Sequence, residues 1–195
     1  MKARISCVFL LLIVLAASGT ARAEQAPGQA MATLKSTVDE VLAILKTPPD
    51  SPGRQEKLYA AASRVFDPEE LARRTLGVHW QSFNPEERAR FTSAFVKLLE
   101  RTYLRRIQAY NSAQVVYLSQ SSLSDTQAEV STKIIANREV PVVYRLIKKN
   151  DWKVYDVVIE GVSLVQNYRN QFNQVLASQS PEQLISRIEA MGQAQ

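Results

Sequence analysis

Trp152-Lys153-Val154-Tyr155-Asp156-Val157-Val158-Ile159-Glu160-Gly161-Val162-Ser163-Leu164 is the stretch from which the fold is read. Its first half is rich in β-branched and aromatic residues, the composition of a strand. Gly161 marks the point where the backbone turns. Beyond it Leu164, Val165, Tyr168, Phe172, Val175 and Leu176 recur at helical spacing. A strand apolar on nearly both faces, running into a strongly apolar helix, requires cover on two sides. That cover is either plain core or the wall of a cavity.

Immediately upstream, Val140 to Lys149 forms a second strand-like run, separated from the first by Asn150-Asp151. A two-residue turn there sets Lys149 opposite Trp152, Leu146 opposite Tyr155, Tyr144 opposite Val157 and Val142 opposite Ile159. That face is apolar apart from its end, and its aromatic and aliphatic groups suit either a core or a ligand wall. The opposite face sets Ile147 against Val154, Arg145 against Asp156 and Val143 against Val158. Arg145 and Asp156 are thereby expected to form a structural cross-strand ion pair.

Ala113 to Gln120 and Thr126 to Ala136 add two further strands, the second alternating Ala128, Val130, Thr132 and Ile134 with polar residues. Four runs with short turns predict an antiparallel meander. Helical stripes lie on both sides of it in sequence: Met31 to Lys46, Arg54 to Phe66, a long helix from Asn84 to about Tyr110, Val162 to Ser178 and Pro181 to Met191. Asp67-Pro68-Glu69-Glu70, Asn84-Pro85-Glu86-Glu87 and Ser180-Pro181-Glu182-Gln183 each supply a capping side chain, a proline at the first helical position and an acid or amide at the third. The pattern is α+β: an antiparallel sheet of about four strands wrapped by about six or seven helices.

The N-terminus is set apart. Lys2 and Arg4 precede the apolar run Ile5 to Ala17, and Ala21-Arg22-Ala23 is a small-x-small cleavage signal. Residues 1–23 therefore read as a secretory signal peptide, leaving 24–195 as a single domain. The lone cysteine, Cys7, lies within the signal, so the domain is held by an ordinary core rather than disulfides. Of the 24 Lys and Arg residues, Lys2, Arg4 and Arg22 leave with the signal. The remaining 21 face 19 acids, a net charge of +2 that argues against nucleic-acid binding. A secreted chain without cysteines is expected in the periplasm.

Motifs for chemistry are missing. His79 is the only histidine and has no Cys or acidic cluster in sequence to build a metal site with. There is no phosphate-binding glycine loop and no nucleophile elbow. Nothing calls for a cofactor or a catalytic group.

Four blocks together resemble one family. They are Phe66-Asp67 with Leu71-Ala72-Arg73-Arg74-Thr75-Leu76-Gly77-Val78-His79-Trp80; Asn84-Pro85-Glu86-Glu87-Arg88 with Phe91, Phe95 and Leu98-Leu99-Glu100-Arg101-Thr102-Tyr103; Val143-Tyr144-Arg145-Leu146; and Trp152 to Leu164 continuing into Asn167-Tyr168-Arg169-Asn170-Gln171-Phe172. In this order they resemble the MlaC / toluene-tolerance auxiliary family of periplasmic phospholipid carriers in the Mla pathway. The resemblance implies an NTF2-like sheet around an apolar cavity that takes lipid acyl chains. It also implies shuttling between an outer-membrane lipoprotein complex and an inner-membrane ABC transporter with an MCE-domain subunit. A lipid wall needs no polar motif, because each buried CH₂ contributes roughly 0.8 kcal/mol.

Three readings compete. In the first, phospholipid binds against Val142, Tyr144, Leu146, Tyr155, Val157 and Ile159 from the sheet, with Phe95, Leu98, Tyr103, Leu164, Tyr168 and Phe172 from the helices; another lipid such as a hopanoid is the variant of this reading. In the second, the chain is an NTF2-like enzyme using Asp156. In the third it is an adaptor that docks a partner through the basic side of its long helix and has no cavity above ~300 Å³.

Overall fold

In a computed structural model of the chain, the structure describes residues 28–108 and 112–193. The signal-peptide segment and the expected end of the long helix near Tyr110 lie outside the described residues.

Among the described residues, six α-helices and five strands follow in the expected order. Helices α1 (Gln29–Leu45), α2 (Arg54–Val65) and α3 (Pro68–Leu76) lead through a 3-10 turn at Gly77–Ser82 to α4 (Pro85–Gln108). Strands β1 (Gln114–Ser124), β2 (Gln127–Ile135), β3 (Glu139–Lys148), β4 (Trp152–Ile159) and β5 (Val162–Ser163) form one antiparallel sheet in sequence order. Helices α5 (Leu164–Leu176) and α6 (Pro181–Gln193) end it. The α+β meander stands; its fifth strand is the two-residue β5, which the sequence reading folded into the helix.

Local chemistry sets the boundaries. Asn84 Oδ1 accepts the Glu87 amide at 2.9 Å while Glu87 accepts the Asn84 amide at 2.8 Å, a complete capping box. Ser180 and Gln183 close the same reciprocal pair at the start of α6. Asp67 accepts the Glu70 amide at 2.9 Å, but the Glu70 side chain turns instead to Arg73 and Arg74. Between β4 and β5, Glu160 and Gly161 both hold positive φ, at 51° and 82°, the backbone of a two-residue type I′ turn.

The β3–β4 register is as expected over its lower half: Val142–Ile159, Val143–Val158, Tyr144–Val157 and Arg145–Asp156 are partners. Above Arg145 it slips by one. Leu146 pairs with Val154, Ile147 with Lys153 and Lys148 with Trp152. The pairs Leu146–Tyr155 and Lys149–Trp152 therefore do not form. Tyr155 is the extra residue of a β-bulge, and the connection is the three residues Lys149-Asn150-Asp151. A bulge puts two residues against one and re-aims a side chain. Tyr155 accordingly leaves the apolar face and joins Asp156 on the opposite one.

Two cores result. On one face of the sheet, Ala128, Val130, Leu146 and Val154 are sealed by Ala30 and Leu34 of α1 and by Val65 of α2, with Tyr117, Tyr144, Val157 and Trp152 at the margin. The second core joins α3, α4, α5 and α6. It is built on Phe91, Phe95, Tyr168 and Phe172, whose ring centroids lie 5.1–5.7 Å apart in the contacting pairs. Phe66, at the α2–α3 junction, touches both cores and bridges in parallel to Val154 of β4.

Candidate functional site: an arginine-lined cleft between sheet and helices

The register assigns the second face of the sheet. Ser131, Val143 and Val158 form one row on it, and Glu129, Arg145 and Asp156 the next. Val116, Val143 and Val158 are each only half-buried there, unlike the sealed Val130 and Leu146 of the α1 face. The face read as ion-paired is the open one, and the face read as a lipid wall is largely covered by α1.

This open face forms one side of a cleft of about 390 Å³. Leu123, Glu129, Arg145, Tyr155 and Asp156 come from the sheet; Ser163, Val165, Gln166 and Arg169 come from β5 and α5; Arg74 comes from α3. A second and larger groove of about 790 Å³ runs along the solvent side of α4 between Tyr59, Trp80 and Val96. Its fixed cation, Arg88, is spent on the Trp80 carbonyl and ring. The smaller cleft is the better candidate because it lies where two layers meet and polar groups converge.

Asp156 is the centre of the cleft floor and is buried to 3% exposure. One oxygen accepts the Val165 amide at 3.0 Å; the other accepts the Ser163 hydroxyl at 2.7 Å and Arg145 at 3.2 Å. Ser163 in turn accepts the Gln166 amide, capping α5. A carboxylate on β4 thus satisfies one orphan amide of α5, fixing the helix to the sheet. Arg145 also donates to Glu129 at 2.7 Å, the leading reason its pKa is raised. The expected Arg145–Asp156 pair is present, inside a larger network.

Arg74 stacks on the Tyr155 ring with its central carbon 3.8 Å from the ring centroid, and donates to Glu70 at 2.6 Å. Burial raises the Tyr155 phenol, whose hydroxyl lies 3.3 Å from Gln127 Oε1. Arg169 of α5 donates through two of its nitrogens to the carbonyl of Arg74, tying α5 to the end of α3.

Of the twelve expected lipid-wall residues, only Tyr155 lines this cleft, and it does so from the face opposite to the expected one. Val142, Tyr144, Leu146, Val157 and Ile159 share the α1-covered face. Phe95, Leu98, Tyr168 and Phe172 are buried in the helical core, with Tyr103 and Leu164 packed against it. The two sets belong to different cores. The reading missed Arg74, Ser163 and Arg169. Arg169 carried a signal: it is the one charged residue in the whole of α5. His79 sits in the 3-10 turn, where its carbonyl accepts the Ser82 hydroxyl. Among the described residues, no group of three His, Cys, Asp or Glu side chains could hold a metal ion.

Known proteins share this architecture. The intermembrane phospholipid transport system binding protein MlaC of Haemophilus influenzae is 27% identical over 123 residues, 60% of this chain and 58% of that protein. The alignment thus spans less than two thirds of that relative's length. A phospholipid-binding protein of Ralstonia solanacearum, solved in complex with a phospholipid, superposes with a TM-score of 0.76 at 29% identity, covering 86% of this chain and 97% of that one. The family model for the MlaC protein matches residues 35–190, and on that match this chain belongs to the MlaC family.

Proposed function

We propose that this chain is a periplasmic phospholipid carrier whose acyl tails lie along the open face of the sheet. The observation that carries the reading is that face itself. Half-buried Val116, Val143 and Val158 continue directly into a cleft between two layers joined mainly at the β4 edge. Apolar surface left partly uncovered in a well-packed fold marks a binding surface. Two acyl chains are held by apolar contact at roughly 0.8 kcal/mol per CH₂. A cleft of about 390 Å³ is at the small end of ligand sites. Tails therefore enter by parting the helical layer from the sheet. In this reading the carrier collects and delivers its lipid between an outer-membrane lipoprotein complex and an inner-membrane ABC transporter with an MCE-domain subunit. Support comes from the family, from the phospholipid complex of the Ralstonia relative and from the signal-like N-terminus.

Catalysis by Asp156 has little to support it. Both of its oxygens are engaged by an amide, a hydroxyl and a guanidinium, and a general base needs one turned to substrate.

Native mass spectrometry of gently purified protein tests the carrier reading, with co-purifying phospholipid expected. Val143→Glu puts a charge on the proposed tail surface and is expected to abolish uptake from vesicles with the circular dichroism spectrum unchanged. Protein that is lipid-free as purified and takes up none from vesicles overturns the proposal.

A further inference from the structure

We propose that Arg74, Arg145 and Arg169 form a phosphate-reading corner of the cleft that holds the phosphodiester of the cargo lipid while its tails lie on the sheet. The inference deepens the carrier reading and rests on it.

Each guanidinium is fixed along one edge and leaves another edge open. Arg74 spends Nε on Glu70 and sits over the Tyr155 ring, and neither of its terminal nitrogens has a hydrogen-bond acceptor among the described residues. Arg145 spends Nε on Glu129 and one terminal nitrogen on Asp156, leaving the other. Arg169 spends Nε and one terminal nitrogen on a backbone carbonyl, again leaving one. All three line the same cleft. Arginines held by partners lose little further entropy on binding, and their planar forks match the oxygens of a phosphate.

The charge balance points the same way. Arg169 meets only a carbonyl, and Glu70 is shared between Arg73 and Arg74, so the α3–α5 side of the cleft carries uncompensated positive charge. A structural ion-pair network would neutralise it. Asp156 is buried and Glu129 stands on the cleft lining; both carboxylates are engaged by Arg145 and hold it in place, whereas Arg169 has no carboxylate partner among the described residues. A phosphate group is the shared chemistry, and a lipid headgroup and a free phosphate are its two sources. The half-buried apolar row beside the corner favours the lipid.

The test uses the mature chain, stripped of bound lipid, and two probes with identical fluorescent tails: phosphatidylglycerol and diacylglycerol, each presented from dodecyl maltoside micelles. The unaltered protein is expected to prefer phosphatidylglycerol by about ten-fold or more, the value of a charge-assisted hydrogen bond. Arg169→Gln is expected to collapse that preference to near unity, and Arg169→Lys, which keeps the charge but not the fork, to restore part of it. Equal binding of both probes by the unaltered protein overturns the lipid-phosphate assignment and leaves the carrier reading intact. So does Arg169→Gln lowering both probes alike, which makes the residue a strut between α3 and α5. Uptake of neither probe overturns both. Inorganic phosphate separates the sources: if it binds in an Arg169-dependent way while the two lipids bind equally, the corner serves a free anion and the lipid assignment falls.

Discussion

Asp156 shows how a single side chain can be mistaken for a catalyst. A lone buried acid in a cleft is a familiar sign of chemistry. Here its partners account for it: an amide of α5, the capping hydroxyl of Ser163 and Arg145. Asp156→Ala strands the Val165 amide and leaves Arg145 one acceptor fewer. The expected cost is about 3 kcal/mol, read as a lower midpoint in urea unfolding. Asp156→Asn keeps one acceptor and costs less. Changing Arg145 to Gln as well recovers part of the loss, and strictly additive losses in that double-mutant cycle would break the link. Glu70 makes the second case. Its bond to Arg73 leads the causes that hold its carboxyl below the ordinary range, with Arg74 adding to it and burial opposing. A depressed folded pKa gives stability that is fully present above the unfolded value. It is lost as pH falls through that value, near 4.3, toward the folded one. Glu70→Gln is therefore expected to cost about 1–2 kcal/mol at neutral pH and to converge with the unaltered protein in acid. A gap that stays constant with pH would assign the effect to packing instead.

At the scale of elements, the β4–β5 turn isolates one backbone effect. Gly161 has φ of 82° and nothing within 4 Å of the position a Cβ would take. Gly161→Ala thus tests conformation without a clash, and about 1 kcal/mol of destabilisation is expected. Glu160, at φ 51°, pays a similar strain and returns only an exposed bidentate pair with Arg138. Asparagine tolerates that conformation better, so Glu160→Asn is expected to stabilise by a few tenths of a kcal/mol in the same denaturation assay. What could be read in the sequence divides along this line. Caps, turn glycines and helical stripes act within a few residues, and the capping boxes at Asn84 and Ser180 form as their side chains dictate. The bulge at Tyr155 has no such local mark. A strand of Val, Tyr and Ile pairs equally well with or without an extra residue, and the slip follows from what the side chains meet, Arg74 and Gln127. Which face is covered was not legible for a related reason. Parity tells which residues share a face, but α1 decides which face is covered, and α1 is more than 80 residues away in sequence from the strands it seals.

For the whole molecule, the two cores matter more than either site residue. The sheet–α1 core and the aromatic helical core meet through Phe66 and along β4, so the cleft between them can widen without opening either. A lipid that enters there adds apolar contact to both layers and binds only the folded state. At a hundred times its dissociation constant it is expected to add about 2.7 kcal/mol, raising Tm by about 5–10 °C for a domain of this size. The route of the tails can be followed separately, because the two tryptophans are placed apart from the cleft. Trp80 borders the groove on α4, and Trp152 packs at the margin of the α1-covered core. With Trp80→Phe, Trp152 becomes the sole reporter on the sealed face of the sheet. Lipids carrying bromine on their tails quench indoles only at contact range. If tails lie on the Val143–Val158 face, the sheet separates them from Trp152, and its emission is expected to persist as lipid loads and Tm rises. Strong quenching with the same rise in Tm would mean that tails displace α1 and occupy the face of Tyr144 and Leu146, returning the binding wall to the apolar side of the hairpin.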